Sequence, residues 1–96
     1  MTFRIENEKR GRFAVFLLSG RIEIQAMAEL TRLFELQTNY QDIVLDLKDV
    51  TVVDREAIRF FARSEVDGVK LENCPAYIRE WMDREKQSIA PRRRDP

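Results

Sequence analysis

The chain has 96 residues, enough for one domain with a single modest hydrophobic core. Its 17 basic and 17 acidic side chains cancel, so it has no strong field with which to collect phosphate backbones, and a nucleic-acid partner is disfavoured. With no histidine and one cysteine, the commonest general base, the commonest metal ligand, an internal disulfide and a thiolate metal cage are all missing.

In chain order, Phe3 and Ile5 alternate with Arg4 and Glu6, the period-2 pattern of a strand with one wet face. Asn7 to Gly11 reads as a polar turn closed by glycine. Phe13 to Leu18 is apolar on both faces, as in a central strand, and the short link pairs it with the first strand as a hairpin. This run is also far too short to span a bilayer, and no secretory apolar segment precedes it. A cytoplasmic protein, or a cytoplasmic piece of a larger one, without membrane contact is expected.

From Ile24 to Thr38 the period becomes helical, with Ile24, Met27, Leu30, Thr31 and Phe34 on one stripe and Leu33 widening it. Ile43 to Leu47 is a short buried strand. Asp54 is placed to cap a second helix over roughly Arg55 to Asp67, whose inner face carries Ile58, Phe61 and Ala62, and Gly68 stops it. Val69 and Leu71 mark a fourth, edge strand. Pro75 opens a third helix to about Lys86, with Ile78, Trp81, Met82 and Glu85 on one side.

The resulting order, β-β-α-β-α-β-α, predicts an α/β fold built on a four-stranded mixed sheet of strand order 1-2-3-4, with the helices mainly on one face. The opposite face of the central strands is then thinly covered, a place to expect a partner or a second copy. Residues 1–87 form a single domain in this reading, and residues 88–96 a flexible charged tail.

The stretch Ile43 to Asp54, IVLDLKDVTVVD, followed by a helix, resembles the core signature of STAS domains. This family includes the anti-sigma-factor antagonists and the cytoplasmic domains of sulfate transporters. LSGRIE, from Leu18 to Glu23, is similar to the family's entry into its first helix. The resemblance covers about 70 residues, from the second strand to the third helix. It leaves the final strand and helix of a full-length member without a counterpart.

Sigma-regulating members carry an Asp-Ser-Ser-Gly-like loop whose second serine is phosphorylated by a kinase that is also an anti-sigma factor. Asp54 matches that aspartate. Arg55 stands at the first serine, Glu56 at the phosphorylated one and Ala57 at the glycine. Phosphoryl transfer to position 56 is therefore impossible in this chain. A carboxylate carries less charge than a phosphoserine and one acceptor oxygen fewer, so Glu56 is either a weak imitation of the phosphorylated state or simply a first-turn acid favoured by the helix dipole.

The resemblance implies a non-catalytic protein-interaction module, in bacterial signalling or sigma-factor regulation. It would dock through Asp54, Arg55, Glu56 and Arg59 to a protein partner such as an anti-sigma factor or a kinase-like regulator. No cofactor or metal is expected, and a homodimer is allowed. The rival readings are a small-ligand or nucleotide sensor, using the carboxyl ends of the strands, and an oligomerisation scaffold. Other residues have plainer roles. Asp46 reads as a solvated strand end or a turn hydrogen bond, Cys74 as an inert, small buried hydrophobe, and Tyr77 with Trp81 as core aromatics. The Arg92 to Arg94 run is a weak claim on an anionic surface.

Overall fold

The structure, a computed structural model, describes residues 3–37 and 39–89. In chain order it contains β1 (Phe3–Arg10), β2 (Phe13–Ile22), α1 (Ile24–Glu35), a 3-10 turn (Tyr40–Asp42), β3 (Ile43–Val53), α2 (Arg55–Val66), β4 (Lys70–Glu72) and α3 (Ala76–Ile89). The strands form one sheet in the order β1-β2-β3-β4; β1 runs antiparallel to β2, while β2, β3 and β4 are parallel. Element order, strand order and the mixed sheet are as the sequence predicts. α3 continues to Ile89, beyond the expected end at Lys86, and residues 90–96, where most of the charged tail was placed, lie outside the described residues.

The first turn is tighter than predicted. β1 persists through Arg10, which pairs with Phe13, so only Gly11 and Arg12 make the connection. Gly11 stands at φ +62°, the left-handed region that a two-residue hairpin needs at its first position. The polar residues Asn7 to Lys9 mimicked a loop because β1 is an edge strand with little to bury.

β3 is more than twice the length expected, because its second half hides its period. The ladder with β2 shifts register between the pairs Leu17↔Asp46 and Ser19↔Asp49, which leaves one extra residue on β3. Such a bulge frees a backbone N–H from the ladder. Here the Lys48 N–H donates to Asp46 Oδ1 at 3.0 Å. A second shift follows Gly20, so Leu47, Val50 and Val53 reach the core at intervals of three, a spacing that does not look like a strand. Asp46 is accordingly buried within β3 and is not a solvated strand end. Asn73 Nδ2 donates to both its oxygens at 3.2 Å, closing β4 onto β3.

One core lies between the sheet and the helices. Phe16, Leu18 and Ile22 of β2 and Ile43, Leu45 and Leu47 of β3 meet Leu30 and Phe34 of α1, Ile58 and Phe61 of α2, and Ile78 and Met82 of α3. The buried stripe of α1 is rotated from the predicted one. Ala26, Leu30 and Phe34 are buried, while Ile24 is 57 % exposed and Thr31 faces out. α2 buries Ile58, Phe61 and Ala62 as read, with Ala57 and Ser64 beside them.

The face of the sheet without helices is closed differently from what its pattern suggested. Val15 and Val44 are buried, although neither belongs to the core under the helices. Arg10 on β1 and Glu72 on β4 meet at 3.2 Å, and their side chains can do so only by reaching across β2 and β3. Arg12 and Lys70 lie over the Phe13 ring, 5.3 and 5.7 Å from its centroid. Long cationic stems thus shield the valines that a bare sheet would expose.

α2 and α3 are joined at Glu65, which accepts from Arg79 Nη1 and Nη2 at 2.8 and 2.9 Å and from Lys86 Nζ at 2.6 Å. The hydrogen bonds from Arg79 lead in holding the Glu65 carboxyl down at about 2, against the opposing effect of burial. A folded-state value below the unfolded one stabilises the fold above the unfolded value, near 4.5, and the gain disappears as pH falls toward 2. Allowing for solvent screening, this contribution is about 1–2 kcal/mol. Urea unfolding of Glu65→Gln should therefore show a deficit of that size near neutral pH that closes by roughly pH 2. A deficit independent of pH would mean that packing, not charge, is what Glu65 supplies.

Candidate functional site

β3 runs well past its pairing with β4, stays paired with β2 to Val53, and delivers Asp54 to the rim where α1 and α2 both begin. Asp54 has extended backbone and caps α2, with Oδ1 accepting from the Ala57 N–H at 2.9 Å. Its other oxygen, Oδ2, accepts from the Ile24 N–H at 3.0 Å. Glu23, at the cap position of α1, makes no side-chain cap of its own, so Asp54 serves two helices at once. The second bond spans thirty residues of sequence and no local pattern announces it.

The remaining candidates separate by what they touch. Arg55 Nε donates to Glu85 Oε2 at 3.3 Å and Arg59 Nε to Glu85 Oε1 at 3.1 Å. Both arginines lie on one side of α2, four residues apart, and converge on a single acid of α3. The Glu85 side chain is only 10 % exposed, and the hydrogen bond from Arg59 leads in drawing its carboxyl below the usual range. The two guanidinium groups remain about half open to solvent. Glu56 is exposed in the first turn of α2 and makes no ion pair among the described residues. The site thus joins Asp54, Arg55, Glu56 and Arg59 on one rim, with Glu85 as a fifth member. An acid on the inner side of α3 facing arginines spaced i,i+4 is the sequence signal that could have found it.

Two apolar side chains sit beside this loop. Ile24 is held there by its own N–H on Asp54, and Tyr77, 49 % exposed, lies with its hydroxyl 3.5 Å from the Thr51 carbonyl. Sequence periodicity assigned both to the core. Trp81 does pack against the core, half-buried, one turn further along α3. Cys74 is half-buried, and burial raises its thiol above the ordinary value, so the start of α3 does not activate it.

Among solved structures, the chain superposes on the STAS domain of an antisigma-factor antagonist from Rhodobacter sphaeroides with a TM-score of 0.56 and 12% identity, over 75% of this chain and 87% of that one. The fold is that of a STAS domain. An uncharacterized protein with a SpoIIAA-like fold from Shewanella loihica PV-4 matches 99% of this chain and 86% of its own, at TM-score 0.53 and 14% identity. Part of a larger protein, Mglu, matches 73% of this chain with 29% identity and a TM-score of 0.53, and the match spans 19% of Mglu. No family model and no curated protein matches the chain.

On this STAS frame, a shallow groove of about 280 Å³ runs between α1 and α2, lined by Met27, Glu56, Arg59, Phe60 and Arg63. A recess of about 140 Å³ continues it past Phe60 and Arg63 to Thr31, Phe34, Tyr40 and Asp67. Among the described residues there is no group of three or more metal-ligating side chains, and no helix is long and apolar enough to cross a membrane.

Proposed function

We propose that this STAS-like chain is a non-catalytic protein-interaction module of bacterial signalling, of the sigma-factor-regulating kind. It docks through the Asp54 loop and the start of α2 onto a protein partner such as an anti-sigma factor or kinase-like regulator. The observation that carries the reading is the composition of the rim. Asp54 is wholly engaged in holding two helices, which leaves the exposed Arg55 and Glu56 on the same rim as the exposed Ile24 and Tyr77. A tyrosine and arginines on a preformed scaffold, ringed by charge, are the side chains from which protein interfaces draw most of their affinity.

At position 56 the carboxylate gives the rim a permanent single negative charge where the antagonists that this chain resembles carry a switchable serine. Docking on this reading is constitutive. The immobilised chain, as wild type and as the double variant Arg55→Glu, Glu56→Lys, tests it in extracts of the source cells. Wild type is expected to retain a protein partner identified by mass spectrometry, and the double variant to retain at least about tenfold less. Equal recovery by both, with both folded, would place docking elsewhere. Glu56→Ser and Glu56→Ala then separate the two roles of Glu56: capture equal to wild type by both leaves it a first-turn acid only.

A further inference from the structure

The stripe of α2 that borders the groove is self-complementary. Glu56, Phe60 and Arg63 fall on one side of the helix, and Glu56 and Arg63 are two turns apart, about 10 Å, too far to pair with each other. Neither makes an ion pair among the described residues, whereas Arg32, Arg55, Arg59 and Arg79 all do. Phe60 lies midway between them, half-buried, its ring 5.3 Å from that of Phe34 at the floor. Two such helices laid antiparallel about a two-fold axis between Arg59 and Phe60 bring Glu56 of each copy opposite Arg63 of the other, twice, with Phe60 at the centre.

Among the described residues lining the groove, the charge nearest the axis is already partly neutralised. Arg59 lies next to the axis and would face its own symmetry mate, but its guanidinium is held to Glu85 of α3. That contact draws the guanidinium toward α3, while the rest of the Arg59 side chain still lines the groove beside Phe60 of α2 and Met27 of α1. We propose that the α1–α2 groove receives a second copy of this chain, forming an isologous dimer in which Glu56 and Arg63 pair across the axis. The patch is small, so the dimer is a weak one that forms at high micromolar concentration. Because Glu56 belongs to both surfaces, self-association and partner docking exclude one another.

Sedimentation equilibrium of the purified chain alone tests this without reference to any partner. Wild type is expected to show a concentration-dependent rise from monomer toward dimer mass, weakened by added salt. Glu56→Arg and Arg63→Glu each place like charges opposite one another and should weaken association at least about tenfold. The double variant Glu56→Arg, Arg63→Glu restores both pairs and should return to within about threefold of wild type. Far-ultraviolet circular dichroism checks that each variant is folded, and Glu56→Gln with Arg63→Gln serve as milder single changes, each expected to weaken association several-fold. A strict monomer at millimolar wild type, single variants that associate normally, or a folded double variant no better than the singles would each overturn the proposal.

Discussion

Replacing Phe34 by alanine is expected to destabilise the chain by about 3–5 kcal/mol, a large share of the stability of a domain this size. Phe34 is 2 % exposed and joins three other rings: Phe16 stacked at 6.0 Å, Tyr40 edge-on at 5.5 Å and Phe60 at 5.3 Å. It is the side chain through which α1 meets the sheet, the 3-10 turn and α2 together. Removing it leaves a cavity as well as losing buried apolar surface, and the cost depends on how far the neighbours collapse. Phe16 is fixed in β2, so collapse must come from Tyr40 and Phe60, both lining the recess beside the groove. Phe34→Leu, which fills most of the volume, should cost less than half as much. Urea unfolding gives both values, and a loss under about 1 kcal/mol for alanine would remove Phe34 from the centre of the core.

The second large effect is at Asp54. Asp54→Ala should lose about 2–4 kcal/mol, because two helix-terminal N–H groups, on Ala57 and Ile24, lose a charged acceptor in one step. The corresponding fall in melting temperature is roughly 10–20 °C. Asp54→Asn keeps one carbonyl oxygen for Ala57 but turns an amide toward Ile24, so an intermediate loss of about 1–2 kcal/mol is expected. A loss for Asp54→Ala no greater than that of an ordinary surface change would mean that α1 holds its own N-terminus. The two variants also fix how docking experiments are designed. A change at Asp54 alters the rim by loosening both helices, so the proposed docking is tested at Arg55 and Glu56 and not at Asp54.

The architecture was legible because most of its elements keep their period. The first half of β1, Phe13 to Leu18 of β2, the inner face of α2 and the buried Ile78 and Met82 of α3 follow simple spacings, and Gly68 and Pro75 punctuate them. What could not be read arises from contacts distant in sequence. The second half of β3 breaks its alternation at two bulges, and Asp46, which stabilises the first, looked like a solvated strand end because its partner Asn73 is 27 positions away. The stripe of α1 was misplaced because Ile24, apolar and correctly spaced, is diverted to the rim by its N–H bond to Asp54. The Asp54 loop was singled out through the resemblance of IVLDLKDVTVVD to a known signature. The joining of Arg55 and Arg59 through Glu85 follows only once α3 has folded back on α2.

The ion pair drawn over the helix-free face bears on how these chains behave when crowded. β1 is an outer strand of eight residues with one hydrogen-bonding edge unpaired in the sheet, the geometry from which fibrils grow by strand addition. Stacking a second sheet on this one would require dehydrating Arg10 and Glu72 and displacing the cations above Phe13. Along β1 the charged Glu6, Glu8, Lys9 and Arg10 would meet their own kind in any in-register stack. The side chains that shelter two valines in the folded domain therefore also act as a barrier to amyloid-like growth.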